Sequence, residues 1–479
     1  MPETRITIDG IEQYVPDGTT ILEAAREKNI HIPTLCHLDG QIKKGVCRIC
    51  VVEVEGMKTL VPACATLVRD GMKIHTDSGR VRKARRMNLE LLLSRHPMDC
   101  QSCVRMENCL IEDLDPDICN ACFFCDCVKD NDCELQKLVT EYAVNRMEFP
   151  WIRRTEKTDD SLDSIVRDPG KCIGCRRCVA ACGEWQDMHV LGMAGRGSGL
   201  RVAAAFDAPL KDAHCVECGQ CVRSCPVGAV FEKEDLHRLA DAVAEKSTLI
   251  SARIEPYFLA EYLRIAGLDP KIYGIGSLMA GLKRLGIHRI EENTKAEKEV
   301  EKAILREVRE AAGELVISAV CPAALRFVRQ EFPLLAPHLS AVRSPQQHYG
   351  GIYEEEYTVS LSACSARKAE AAASAGTGVK QVISPRELHR LFTRFGVDIT
   401  RLSPCPEQGQ MVYLPDRKTP GEKIETIKIG NVHIRSVTVR GLRAARQLLK
   451  EVAAGNAAYD YIMLQACPEG CISTRAWPV

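Results

Sequence analysis

More than half of the chain's 25 cysteines belong to C-x-x-C pairs, and the spacing around those pairs decides their chemistry. Cys172, Cys175, Cys178 and Cys182 form a C-x2-C-x2-C-x3-C run. Cys215, Cys218, Cys221 and Cys225 repeat it, with Pro226 behind the second run and Gly183 behind the first. Thiolates so spaced converge on one inorganic cluster, because the turn between them aims backbone amides at the sulfurs. Upstream stand Cys36, Cys47, Cys50 and Cys64, with gaps of ten, two and thirteen residues, a set suited to a 2Fe–2S centre. Disulfides explain this poorly, since disulfide frameworks belong to small secreted chains. The chemistry implied is one-electron transfer through iron–sulfur clusters.

These residues need elements to hold them. Arg5 to Ile8 followed by Asp9 and Gly10 reads as a strand and hairpin turn, and Asp17 to Thr20 caps a helical stretch beginning at Ile21. In the last third, helical segments at 297–313 and 441–455 alternate with short apolar strands at 315–320, 357–363 and 460–466. Each of those strands runs into a cysteine, as in α/β domains whose sites lie at strand ends.

Composition bounds the rest. Lysine plus arginine and aspartate plus glutamate are 64 each, so no net field favours nucleic acid or an anionic membrane. The first ten residues carry charges where a signal peptide would be apolar, and no run of eighteen apolar residues suggests a membrane span. A cytoplasmic protein is expected. At 479 residues the chain has room for several domains. No G-x-G-x-x-G follows a strand, and the stretch around Gly195, Gly197 and Gly199 is too short for one, so neither nicotinamide nor flavin is expected on this chain.

The motifs carry resemblances. Residues 1–80 resemble the β-grasp 2Fe–2S ferredoxin domain of the large iron–sulfur subunit of respiratory complex I and of NAD-linked iron hydrogenases. In 81–150, His96, Cys100, Cys103 and Cys109 resemble the one-histidine, three-cysteine 4Fe–4S site of the same families. There the pattern departs: Cys119, Cys122, Cys125 and Cys127 intervene before Cys133, and equal spacings from Cys103 to Cys109 and from Cys127 to Cys133 suggest a partial duplication. One reading is an inserted 4Fe–4S cluster on Cys119, Cys122, Cys125 and either Cys127 or Cys133. Another gives Cys133 to the histidine-bearing cluster and leaves Cys109 spare, and a third is a small zinc site. Residues 151–235 resemble the bacterial two-cluster ferredoxin, in which the fourth cysteine of each run crosses over. That implies one 4Fe–4S centre on Cys172, Cys175, Cys178 and Cys225, and another on Cys215, Cys218, Cys221 and Cys182.

Residues 236–479 resemble the iron-only hydrogenase α/β domain. Its signatures fall in order at Ser318–Pro322, Ser344–Gln347, Leu361–Ser365 and Ala466–Cys471. By that resemblance Cys321, Cys364, Cys467 and Cys471 hold a 4Fe–4S cubane, and Cys471 bridges to a two-iron site. The residues around that second site differ. A proton-carrying cysteine is Val320, and valine carries no proton. Two methionines are Ser362 and Gln465, and a lysine is Arg367, a larger planar cation. A glycine-rich turn is replaced by Ile472, Ser473, Thr474 and Arg475, and a further glycine-rich segment by Ser403, Pro404, Cys405 and Pro406. The two-iron centre is therefore expected to be absent and the cubane kept, with Cys405 either a core residue or a replacement ligand.

The fold class expected is modular α+β and α/β, carrying one 2Fe–2S and about five 4Fe–4S clusters. The resemblance implies an electron-transfer subunit of a multi-subunit NAD(P)-linked, electron-bifurcating type of oxidoreductase. It also implies partners: a flavin- and NAD(P)-binding subunit, a small thioredoxin-like 2Fe–2S subunit, and a ferredoxin or another catalytic subunit. The alternatives are an active hydrogenase with an atypical pocket and a redox sensor.

Overall fold

In a computed structural model the described residues are 3–39, 45–97, 132–144, 148–150, 156–245, 247–255, 257–292, 294–318, 320–353, 355–374, 378–406, 422–429 and 432–468. At the N-terminus, Glu3–Ile8 (β1) and Ile11–Pro16 (β2) form the expected hairpin, with Ile8 opposite Ile11. Asp9 and Gly10 make the turn, both at positive φ, as the right-handed twist of a two-residue hairpin requires. Thr20 caps the helix Ile21–Glu27 through a capping box with Glu23, which satisfies two otherwise orphaned amides. Val51–Val54 (β3), Val61–Pro62 (β4) and Met72–His75 (β5) complete a sheet of order β2-β1-β5-β3-β4. Only β1 and β5 pair in parallel. Ile6, Ile8, Leu22 and Ile74 fill the space between helix and sheet.

The helix Gly79–Leu93 leaves this sheet with Ser78 accepting from the Val81 amide. Its buried Arg85 donates to the Val51 and Thr76 carbonyls and to the Tyr142 hydroxyl, tying sheet, helix and the later helix Glu134–Glu141 together. One apolar core then runs from Leu35, Cys36 and Cys47 through Leu89, Leu93, Leu135 and Leu138 to Cys175, Cys178 and Cys225.

The next part is built of short pieces. Ile165–Arg167 (β6) pairs antiparallel with a later strand, Gly192–Ala194 (β7) pairs with Arg201–Ala203 (β8), and Val230–Glu232 (β9) is the partner of β6. The helices Arg177–Ala180 and Gln220–Ser224 each begin two residues after the second cysteine of a run. A single π-helical turn, Ala181–Trp185, carries Cys182.

The last part holds two four-stranded sheets. Ile250–Ile254 (β10), Arg289–Glu292 (β11), Tyr357–Leu361 (β13) and Gln381–Ile383 (β14) form one, all parallel, in the order β11-β10-β13-β14. Val316–Ile317 (β12), Glu422–Ile429 (β15), Val432–Arg440 (β16) and Tyr461–Gln465 (β17) form the other, in the order β12-β17-β16-β15. The expected strand at 315–320 is reduced to two residues at the sheet's edge, paired with β17 and joined to Leu339 by a single bridge at Ile317. The helices expected at 297–313 and 441–455 are Thr294–Glu310 and Leu442–Ala453.

The parts are fastened by charge. Asp132 lies 3.0 Å from Arg264 and 3.4 Å from Arg386, and Arg386 also meets Glu232 at 2.9 Å. Gln186 donates to the Ala466 carbonyl at 2.7 Å and accepts from the Leu442 amide at 3.0 Å. Among the described residues no helix is long and apolar enough to cross a membrane.

Candidate electron-transfer sites

The two cysteine runs adopt the same backbone. In the first, Gly174 and Arg176 flank Cys175 at φ +68° and +65°; in the second, Glu217 and Gly219 flank Cys218 at +55° and +72°. This left-handed stretch turns amides inward. Gly174 N–H donates to Cys172 Sγ and Glu217 N–H to Cys215 Sγ, each at 3.4 Å. Holding the non-glycine residues Arg176 and Glu217 there costs about 1–2 kcal/mol apiece, strain of the kind that persists at functional sites.

Two cavities result. One is lined by Cys172, Cys175, Cys178 and Cys225. The other is lined by Cys182, Cys215, Cys218 and Cys221. The structure thus gathers the eight thiols into the two sets that cross-over implies. Burial pushes the Cys215 thiol up to about 12, and Cys175, Cys178, Cys218 and Cys221 upward as well. Desolvation disfavours a bare thiolate, whereas a bound metal removes the proton outright.

In the N-terminal sheet domain Cys36, Cys47, Cys50 and Cys64 are all buried. Donation by the Cys47 thiol draws Cys36 down to about 6, and donation by Cys50 draws Cys64 to about 7. The same bonds, then burial, hold Cys47 and Cys50 up. The Cys47 amide also donates to Cys36 Sγ at 3.4 Å. Four sulfurs in two touching pairs suit a small centre.

His96 is buried, and its Nδ1 lies 2.9 Å from the Lys171 carbonyl. A carbonyl only accepts, so Nδ1 carries the proton and the neutral ring's lone pair belongs to Nε2, the tautomer a metal ligand needs. Cys133 is buried at the head of the helix Glu134–Glu141, in the core that also holds Cys36 and Cys175. Cys100, Cys103, Cys109, Cys119, Cys122, Cys125, Cys127 and Cys471 lie outside the described residues.

At the far end, Cys321 caps the helix Pro322–Glu331 after β12, Cys364 follows β13, and Cys467 follows β17. Their thiols interact: Cys467 and Cys321 add to the burial that raises Cys364. The Cys405 amide is bonded to the Gly276 carbonyl at the head of the helix Ile275–Leu285. Around Cys364 the ground is charged. Glu255 receives Ser362 Oγ at 2.5 Å and stands 3.3 Å from Arg253 and 3.4 Å from Arg367. Arg367 also grips Glu370 at 2.9 Å. Val320 packs beside the helix Thr294–Glu310, in a small core with Val308 and Val316.

Contacts link one thiol group to the next. Arg177, between Cys175 and Cys178, donates to the Leu35 carbonyl beside Cys36 at 3.3 Å and to Glu134 beside Cys133 at 2.6 Å. Gln220, between Cys218 and Cys221, donates to Cys467 Sγ at 3.3 Å. Gly219 lies so near Ser365 that a Cβ there would stand 2.0 Å from its hydroxyl. Sequence reasoning missed Gln220, Glu255 and Glu370. Glu255 had a signal, since it follows a parallel strand as the cysteines do. Among the described residues no group of three His, Cys, Asp or Glu side chains is placed to hold a single metal ion.

A protein with a β-grasp sheet, a two-cavity ferredoxin module and a two-sheet domain ending in thiols is an iron–sulfur electron carrier of the oxidoreductase class. Family profiles agree along its length: a 2Fe-2S iron-sulfur cluster binding domain at 2–79, the NADH-ubiquinone oxidoreductase-G iron-sulfur binding region at 85–114, a 4Fe-4S dicluster domain at 171–229, and the iron only hydrogenase large subunit, C-terminal domain, at 249–413 and 407–474. The chain is 31% identical to NADP-reducing hydrogenase subunit HndD of Solidesulfovibrio fructosivorans, over 99% of this chain and 88% of that one. It belongs to that iron-only hydrogenase subunit family and is an electron-transfer subunit of an oxidoreductase. Iron hydrogenase 1 of Clostridium pasteurianum is 25% identical over the same shares. The NADPH-Fe(3+) oxidoreductase subunit alpha of Geobacter sulfurreducens is 33% identical over 48% of this chain and 24% of its own length. A solved NAD+-reducing [NiFe]-hydrogenase chain matches 48% of this chain and 87% of its own at 28% identity, with a TM-score of 0.40.

Proposed function

We propose that this chain is the wired iron–sulfur subunit of a hetero-oligomeric NAD(P)-linked oxidoreductase, and that it no longer carries out hydrogen chemistry. When bound, iron–sulfur clusters supply one-electron carriers whose potentials follow charge, burial and hydrogen bonding to sulfur. The observation that carries the reading is the unbroken series of contacts through Arg177 and Gln220, from Cys36 by way of the two ferredoxin cavities to Cys467.

The residues divide the work. Cys36, Cys47, Cys50 and Cys64 hold the entry centre, and His96 Nε2 serves the histidine-ligated one with Cys100, Cys103 and Cys109. The two ferredoxin sets relay, and Cys321, Cys364, Cys467 and Cys471 hold a terminal 4Fe–4S. Cys119, Cys122, Cys125 and Cys133 serve an additional centre, for one 2Fe–2S and five 4Fe–4S in all. The loss of the two-iron site is supported by Arg367, whose guanidinium is committed to Glu255 and Glu370, and by Val320, which has no proton to give. The partners are a flavin- and NAD(P)-binding subunit, a small thioredoxin-like 2Fe–2S subunit, and a ferredoxin or another catalytic subunit.

Anaerobically purified protein is expected to hold about 22 iron atoms per chain, to show no infrared bands from iron-bound carbon monoxide or cyanide, and to evolve no hydrogen from reduced viologen. Such bands, or gas, would overturn the loss of hydrogen chemistry. Colourless, iron-free protein would overturn the whole assignment.

A further inference from the structure

The two ferredoxin cavities share a wall. Arg167, the last residue of β6, lines both, together with Val230, its register partner on β9. The Arg167 side chain is 10% exposed. One terminal nitrogen donates to the Val202 carbonyl at 2.8 Å, and the other lies 3.8 Å from Asp159. Among the described residues its buried Nε finds no hydrogen-bond partner. Leaving such a donor unmatched costs about 1–3 kcal/mol. A cluster in either cavity would offer the missing acceptor as sulfur.

We propose that Arg167 is a shared positioning residue for both ferredoxin-type centres, donating Nε–H toward cluster sulfur and setting the two reduction potentials together. This rests on the cluster assignment made above. Each centre takes up one electron from an external donor and becomes one charge more negative; no bond in the protein breaks and no proton moves. A fixed cation between the two favours the reduced form of each. It also offsets the repulsion that the first reduced centre exerts on the second. Asp159 opposes this from the other side of the guanidinium. Its carboxylate is anchored independently by Ser161 Oγ at 2.6 Å and the Leu210 amide at 3.0 Å, so its charge can be removed without removing Arg167.

The test is a dithionite titration of the full chain with mediator dyes, followed by electron paramagnetic resonance. The two centres are identified as the signals lost in Cys178→Ser and in Cys218→Ser. Arg167→Gln is expected to move both midpoints to more negative values with the iron content kept. Arg167→Lys is expected to recover part of the shift, and Asp159→Asn to move both midpoints in the positive direction. A purely structural role would not give opposite signs for the two neutralising changes. Unmoved midpoints in Arg167→Gln, or movement at one centre alone, would overturn the proposal. If Arg167→Gln fails to retain iron, Asp159→Asn decides, and no positive shift there overturns it. Failure of the cluster assignment reads differently: the unsubstituted chain would then lack the two signals altogether.

Discussion

The two ferredoxin cavities are lined mostly by thiols, arginine and apolar side chains, with Asp168 at one and Gln220 at the other, whereas the terminal site they lean on is ringed by ion pairs. In the first region three of the four thiols in each set come from one short turn, and the left-handed residues beside Cys175 and Cys218 aim the backbone for them. In the second, Cys364 comes from one sheet and Cys321 and Cys467 from another. A local site keeps its ligands as long as one turn folds. A site assembled from distant strands depends on the packing between them, and here the ion pairs of Arg253, Glu255, Arg367 and Glu370 stand beside Cys364.

The largest effect expected is on metal content. Cys218→Ser should remove one ferredoxin-type centre, about four iron atoms per chain, and Cys364→Ser should remove as many from the terminal site. Iron analysis showing no loss in Cys364→Ser would make the terminal thiols ordinary core residues, and the two regions would differ in kind.

Next comes the ion-pair ring. Glu255→Gln removes a buried carboxylate shared by Arg253 and Arg367, the latter keeping Glu370, and should cost about 2–4 kcal/mol, read as a lower thermal midpoint. The surface partner of Arg201, changed as Asp207→Asn, should cost about 0–1 kcal/mol. Equal effects would mean that the charges around Cys364 contribute no more than surface pairs do.

A matched pair of glycines sharpens the comparison where the regions touch. A Cβ at Gly174 meets nothing within 4 Å, so Gly174→Ala should cost only the backbone strain of about 1–2 kcal/mol. Gly219→Ala adds a clash with Ser365 and should cost about 1–3 kcal/mol more. Ser365→Ala in the same chain should return part of that excess. Equal destabilisation by the two alanines would show that the regions are not in close contact.

The smallest effect is pH-dependent. Burial holds His389, on the helix Pro385–Arg394, below its ordinary 6.5. The unfolded chain then binds this proton more readily than the folded one. The stability involved is present above pH 6.5 and falls as the pH drops below it. A melting series from pH 7.5 to 5.5 should show a shallower decline in His389→Gln than in the unsubstituted chain.

What the sequence disclosed followed the range of each interaction. The β1–β2 hairpin was legible because Asp9 and Gly10 are turn residues between alternating apolar positions, and the helix at Ile21 because Thr20 and Glu23 form a local box. The two cysteine runs of the ferredoxin module were legible from spacing, and the crossing of their fourth members was implied by the resemblance to two-cluster ferredoxins. Arg167 was not, since an arginine ending a short strand gives no hint that two cavities meet behind it. Nor was Glu255, whose partners Ser362 and Arg367 lie more than a hundred residues on. The strand at 315–320 was overread because an apolar run does not reveal how much of it finds a hydrogen-bonding neighbour.

Two anchorages flank the cysteine-rich stretch: His96, held by the Lys171 carbonyl, and Asp132, clasped by Arg264 and Arg386. The Lys171 carbonyl belongs to the ferredoxin module and the two arginines to the last part of the chain, so the two borders of that stretch are held by different parts of the molecule.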